Sequence, residues 1–304
     1  MKTVYLHIGT HKTGSTSIQK FLAAADEALK EQGILYPKTG RPRENWSPYG
    51  HHKLRWAVAG EWKQKDKRIW EELRQEVCQH PGDRAIVSAE GFETCTTQEI
   101  RRLVNQLSPF SIRVILYLRP PAQFLRAAYA QRVKMEKYHA SFSQCVDDMI
   151  SRCDYLGLVS RWEQFEEIES IHIRLFDKVK NEPGLEASFA DATGIGFSRV
   201  RSFVGPPANT SPPNSVIQTV RWINKIEKAG PTFRPFQELI DRMRGNVLGR
   251  RWPGRWISYT ANLVSCNSFV TYRIKKSMRG KILLRHKEFL STYLENKDYK
   301  YLNL

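Results

Sequence analysis

The chain has 304 residues, 41% of them hydrophobic and 26% charged, and carries a net charge of +17. That is enough chain to bury a sizeable core, and the composition excludes fibrous, low-complexity and disordered classes. No apolar run reaches the roughly 18 residues of a membrane span, and MKTVYLHIGT lacks the longer apolar stretch of a secretory leader, so the expected location is cytoplasmic.

The five cysteines are odd in number and form no C-x-x-C pair, which predicts reduced packing residues and neither a disulfide framework nor a zinc site. No H-E-x-x-H or comparable cluster occurs, and no metal is expected.

In chain order, residues 3–8 (TVYLHI) read as a buried strand that runs straight into GTHKTGSTS, residues 9–17. After it Ile18, Phe21, Leu22, Ala25 and Leu29 recur at helical spacing until Gly33. A glycine loop joining a strand to a helix is the context an anion-binding loop requires. Gly9 and Gly14 have the separation of the nucleotide loop G-x-x-x-x-G-K-[ST], but Ser15 stands where its lysine belongs and the loop's lysine is Lys12. Further strands are predicted at 34–36, 85–90, 112–118 and 171–176. Helical patterns lie around 67–79, 97–107, 121–137 and 156–168. Short apolar strands alternating with helices predict an α/β fold, a P-loop-type parallel sheet flanked by helices. Its ligands belong beyond the carboxyl ends of the strands. PPANTSPPN (206–214) breaks the pattern before a helical C-terminal third. The expected organisation is one domain over 1–304, with a core at 1–205 and a helical, basic region at 206–304 acting as a lid.

Backbone N–H groups from Thr13 to Ser17 are placed to converge on one anionic group, with hydroxyls of Ser15, Thr16 and Ser17 beside them. Lys12, two residues before the second glycine, suits the bridging or terminal oxygen of an anhydride shorter than a triphosphate. No strand ends in a metal-binding aspartate: the third ends in Ser-Ala-Glu and the fourth in Leu-Arg. Such a ligand is stabilised by side chains, without metal.

THKTGSTSIQ (10–19) resembles the 5′-phosphosulfate-binding loop of sulfotransferases. Lys12, Thr13, Gly14, Ser15 and Thr16 match it in order, as does Gln19, while Ser17 replaces a tryptophan. A second block, YLRPPAQFLRAAYAQRVK (117–134), resembles the 3′-phosphate-binding segment of the same family. Arg119, Pro121 and Tyr129 fall in register, and Ala127 stands where the family has a serine. RLFDKVKNEPGLEASFADATGI (174–195) is similar to the family's later strand and helix. The resemblance, to bacterial P-loop-type sulfotransferases, covers roughly residues 1–195. It implies 3′-phosphoadenosine 5′-phosphosulfate (PAPS) as donor and 3′-phosphoadenosine 5′-phosphate (PAP) as product. Lys12 would lie on the bridging oxygen, and Thr13, Gly14, Ser15, Thr16, Ser17 and Arg119 would hold the donor. The alternative is an anion loop with no transfer chemistry.

Transfer to a hydroxyl or amine needs a proton acceptor. Glu90, at the end of the third strand, is the first candidate, since branches of the family use a glutamate there; the alternative is a structural carboxylate. His51 and His52 come second, His52 resembling a histidine at this point of bacterial members.

From residue 242 to 287 there are twelve basic residues and no acidic one. Such a face attracts nucleic acid, anionic lipid or acidic glycan, or is simply a solvated surface. Trp252 and Trp256, set among Arg250, Arg251 and Arg255, suit a sugar chain, so the expected acceptor is a carbohydrate. A small-molecule natural product is the second expectation, with the basic stretch as a lid or a membrane-surface contact. Two other classes stay open: a P-loop kinase, against which the misplaced lysine argues, and a nucleic-acid-binding protein, for which no helix-turn-helix, zinc or RNP-like signal is present.

Overall fold

Alternate residues of the central strands face opposite ways, and both ways are apolar. In β1 (Thr3–His7), β3 (Arg84–Ser88) and β4 (Ser111–Leu118), Val4, Leu6, Val87, Val114 and Leu116 enter one core, and Tyr5, Ile86, Ile115 and Tyr117 enter another. A sheet apolar on both faces must be covered on both, which parallel strands with helical crossovers achieve. The structure, a computed structural model, describes residues 1–42, 48–60, 68–206, 213–229 and 276–294, without the side chains of 229 and 276–284.

With β2 (Ile34–Leu35) and β5 (Ile168–Leu175) the sheet has five strands in the order β2-β3-β1-β4-β5, every pair parallel. One core is closed by α1 (Ser15–Ala24), α2 (Asp26–Lys30) and α10 (Leu185–Thr193), through Phe21, Leu22, Leu29 and Phe189. The other is closed by α3 (His52–Ala59), α4 (Ile69–Gln79), α5 (Thr97–Leu107) and α8 (Tyr155–Glu163), through Leu54, Trp70, Leu73, Leu103 and Trp162. Each such side chain contributes about 1.5–3 kcal/mol by leaving water. Two short helices complete this part, α9 (Phe176–Val179) after β5 and α11 (Phe197–Val200) after α10.

The described residues form two compact units. The sheet and its helices make the first. The second contains α6 (Pro121–Met135) from Ala122 onward, α7 (Phe142–Met149) and α12 (Asn214–Ala229), with Phe124, Tyr129, Val133, Val146, Val216 and Val220 as its core. Asn224 ties α12 to this core by donating to the carbonyls of Val133 (2.8 Å) and Tyr138 (3.0 Å). In α13 (Lys276–Tyr293), Phe289 is buried in the core of the first unit.

Two predicted elements differ. The helix expected up to Gly33 is two helices, broken at the buried Ala25. The helix expected over 156–168 stops at Glu163, because Ile168 already pairs with Ile112 of β4, and β5 starts three residues before its predicted position. Of the predicted C-terminal region, 207–212, 230–275 and 295–304 lie outside the described residues, and with them Trp252, Trp256 and most of the basic stretch. Four cysteines are free thiols; Cys95, Cys145 and Cys153 pack inside as expected, whereas Cys78 is exposed.

Candidate functional site

β1 lies at the centre of the sheet between β3 and β4, and the chain runs from it to β2 and β3 on one side before crossing to β4 and β5 on the other. The loop that follows β1 therefore opens at the topological switch point, where open parallel sheets bind ligands. It is pinned from within. The Thr10 hydroxyl donates to the Tyr117 carbonyl of β4 (2.6 Å), and the Thr13 hydroxyl donates to the Thr10 carbonyl (2.6 Å). Three of its residues have positive φ: Gly9 at 46°, Lys12 at 70° and Gly14 at 81°. A Cβ on Gly14 would overlap Leu185, so glycine is required there by space as well as by angle.

Lys12 is the exceptional one, since a side chain in the left-handed region costs about 1 kcal/mol or more and such strain collects at functional sites. What holds it is Arg119, 107 residues away at the end of β4, whose Nη1 donates to the Lys12 carbonyl at 3.0 Å. The guanidinium is itself fixed: Nε lies 3.7 Å from Asp177 Oδ2, and the group stands over the Phe176 ring at 5.1 Å. The Tyr155 hydroxyl secures the Arg119 carbonyl (2.7 Å). One hydrogen bond thus ties the Arg119 guanidinium to the backbone of Lys12, the other residue singled out in the sequence.

The first N–H groups of α1, at Ser15 and Thr16, have no acceptor within the helix, and the helix dipole adds partial positive charge there. Ser15 is 1% exposed, and its Oγ has no hydrogen-bond partner among the described residues. A Cβ on Gly9 would stand 2.8 Å from that oxygen, so the glycine keeps the cradle open. Thr16 and Ser17 are half-buried. Open N–H groups and a buried unpaired hydroxyl, in a loop that carries Lys12 and is held by the Arg119 guanidinium, fit a phosphate- or sulfate-type anion.

The exit of β3 carries the acid–base groups. Glu90 is half-buried in the turn after the strand. Glu93, three residues on, is 7% exposed; its Oε2 accepts the Gly91 N–H at 2.7 Å and its Oε1 lies 2.6 Å from His11 Nδ1. His52, the first residue of α3, is buried, and burial, then the neighbouring His11, pushes its imidazole down to about 4. His51 is a clip: its Nδ1 accepts the Ser88 N–H (3.0 Å) and its Nε2–H donates to the Pro37 carbonyl (2.9 Å). Burial, with Arg41 nearby, holds it neutral, pushed down to about 3. Both ring nitrogens of His51 are engaged in joining β3 to the segment after β2.

Beneath the loop, a third histidine is pinned by a hydroxyl. The Gln19 amide donates to Ser88 Oγ (3.2 Å), and the same oxygen lies 2.8 Å from His7 Nδ1. His7 is fully buried, and burial pushes it down to about 3 against the opposing charge of Glu93.

Sequence reasoning placed Lys12, Ser15 and Arg119 at one site and missed His7, His11 and Glu93. His11 and Glu93 stand inside segments that drew notice for other residues, but their pairing spans 82 positions and has no local signature. Tyr129 packs edge-on against Tyr138 and Phe142 within the second unit, a core role. Ala127 is half-buried on the same helix. Among the described residues, no group of three or more His, Cys, Asp or Glu could hold a metal ion, and no helix is long and apolar enough to cross a membrane.

No protein-family model matches the chain, and no curated protein does. A solved structure described as a sulfotransferase from Alicyclobacillus acidocaldarius aligns with 78% of this chain and 99% of its own, at 13% identity and a TM-score of 0.44.

Proposed function

We propose that the chain is a sulfotransferase that moves a sulfuryl group from PAPS to a hydroxyl or amine, with a carbohydrate as the favoured acceptor and a small-molecule natural product as the second. The observation that carries this reading is Lys12 held in the left-handed region by Arg119, beside the open N-terminus of α1. A lysine before the second glycine fits a short anhydride, whereas a triphosphate-binding loop places it after that glycine.

Bound PAPS would supply an activated sulfate whose leaving group is PAP. The N–H groups of Ser15 and Thr16, with the hydroxyls of Ser15, Thr16 and Ser17, hold the 5′ anion. The Lys12 ammonium stabilises negative charge on the bridging oxygen, which is worth more in a water-poor site than in solution. Arg119 offers a planar fork for the 3′-phosphate and at the same time fixes the Lys12 backbone. The candidates for the proton acceptor are the acid–base groups beside the loop, Glu90 and His52 among them. Carbohydrate acceptors are favoured by the arginines and tryptophans of 250–256, aromatic rings being suited to sugar faces and guanidinium groups to carboxylates and sulfates.

Calorimetric titration with PAP, beside Mg-ATP, tests the donor site on the wild type, Lys12→Ala, Arg119→Ala and Arg119→Lys. Metal-independent micromolar binding of PAP is expected, weakened about tenfold or more by each alanine, as the loss of a charge-assisted hydrogen bond implies. Arg119→Lys keeps the charge and loses the fork, so it should recover only part of the affinity. Preference for Mg-ATP, or no binding of PAP, would reject the reading in favour of a kinase or another anion-binding role.

A further inference from the structure

The pairing of His11 with Glu93 is used by none of the donor contacts, yet it is the best-anchored acid–base pair beside the loop. Glu93 is 7% exposed and its two oxygens are committed, one to the Gly91 N–H and one to His11 Nδ1 at 2.6 Å. The Glu93 main chain is tied in turn, its carbonyl accepting from Arg161 (3.3 Å), while Arg55 holds the Gly91 carbonyl (2.8 Å). The His11 side chain is 30% exposed and sits between Thr10, bonded to β4, and the strained Lys12. A carboxylate on Nδ1 fixes the ring orientation, puts the neutral ring's proton on Nδ1 and makes Nε2 the basic nitrogen.

We propose that His11 is the proton acceptor of the transfer reaction and that Glu93 is the positioning residue that orients it, an assignment that rests on the sulfotransferase reading above. As the new bond from the acceptor oxygen or nitrogen to sulfur forms, the acceptor's proton passes to His11 Nε2. The bond from sulfur to the bridging oxygen breaks, and its electron pair leaves with the bisphosphate, where Lys12 offsets the charge. Glu93 keeps the Nδ1–H and stabilises the imidazolium.

The neighbouring candidates serve less well. His52 is buried and too weak a base to take a proton efficiently near neutral pH. No hydrogen bond among the described residues fixes the Glu90 carboxylate in the turn. Around the pair, His7 of β1 and Cys95 feel the Glu93 charge, His52 of α3 feels His11, Arg55 of α3 and Arg161 of α8 bond the Gly91 and Glu93 carbonyls, and Lys12 and Glu90 stand nearby in sequence.

The test uses PAP for binding and PAPS with water as acceptor for turnover, on the wild type, His11→Gln and Glu93→Gln, together with NMR of the His11 ring. Both variants should bind PAP within about twofold of the wild type. Sulfate release should fall about 100-fold in His11→Gln, the usual worth of a general base. Glu93→Gln should lower the midpoint of His11 titration and move the acidic limb of the pH–rate profile with it. A midpoint that stays in place, or release unimpaired in His11→Gln with binding intact, overturns the assignment alone. If the wild type fails to bind PAP, the donor reading falls and this assignment with it.

Discussion

A methyl group at Gly14 would overlap Leu185 Cδ2 and stand 3.1 Å from Phe176 Cε2, on a backbone whose φ of 81° already disfavours any side chain. Gly14→Ala is expected to destabilise the protein by about 2–4 kcal/mol, as a lower urea midpoint at unchanged slope, the sum of a left-handed penalty and overpacking. The requirement was legible, because a glycine between a strand and a helix in a phosphate-loop pattern has one physical purpose. Lys12 and Arg119 were legible for a similar reason: each is a cation at the carboxyl end of a strongly apolar strand. Residues whose meaning lies in a distant partner were not. Nothing local in GTHK announces that His11 meets Glu93, and the two-sided bonding of His51 depends on where Pro37 and Ser88 come together.

At the scale of elements, α5 shows a boundary that sequence chemistry fixes. Thr96 accepts the Glu99 N–H, and the Glu99 carboxylate accepts the Thr96 N–H at 2.7 Å, two orphan donors satisfied reciprocally. Thr96→Ala should cost about 1 kcal/mol, measured as a shift of the urea midpoint, and Thr96→Ser should restore most of it. The same T-x-x-E spacing lets the start of this helix be predicted to the residue. The end of α8 was hidden because Phe165 and Ile168 continue the helical spacing of Leu158 and Trp162. Pairing with β4 decides for a strand, and it includes an irregularity at Ile112/Arg113 that no single-strand pattern encodes. Likewise, helical periodicity after β4 showed that α6 exists but not that it enters a second unit.

For the whole molecule, three buried histidines make stability depend on acidity. His7 and His51 are pushed down to about 3 and His52 to about 4, all by burial first, against about 6.5 in the unfolded chain. Between those limits the unfolded state binds more protons, so folding stability rises with pH. Their contribution is present above about pH 6.5 and is lost as the pH falls towards 4 and 3, by up to about 1.4 kcal/mol per pH unit for each ring. Urea unfolding at pH 7.5, 6 and 5 should show a progressive loss, and His51→Gln should flatten the dependence while lowering stability at pH 7.5. The anchoring of Thr10 to the Tyr117 carbonyl has a further consequence. A loop stapled to a middle strand gives way with the sheet, so its unfolding should coincide with that of the first unit and not precede it. Any anion it binds would then report on the entire first unit, raising its melting temperature by mass action where a surface loop would tighten only itself.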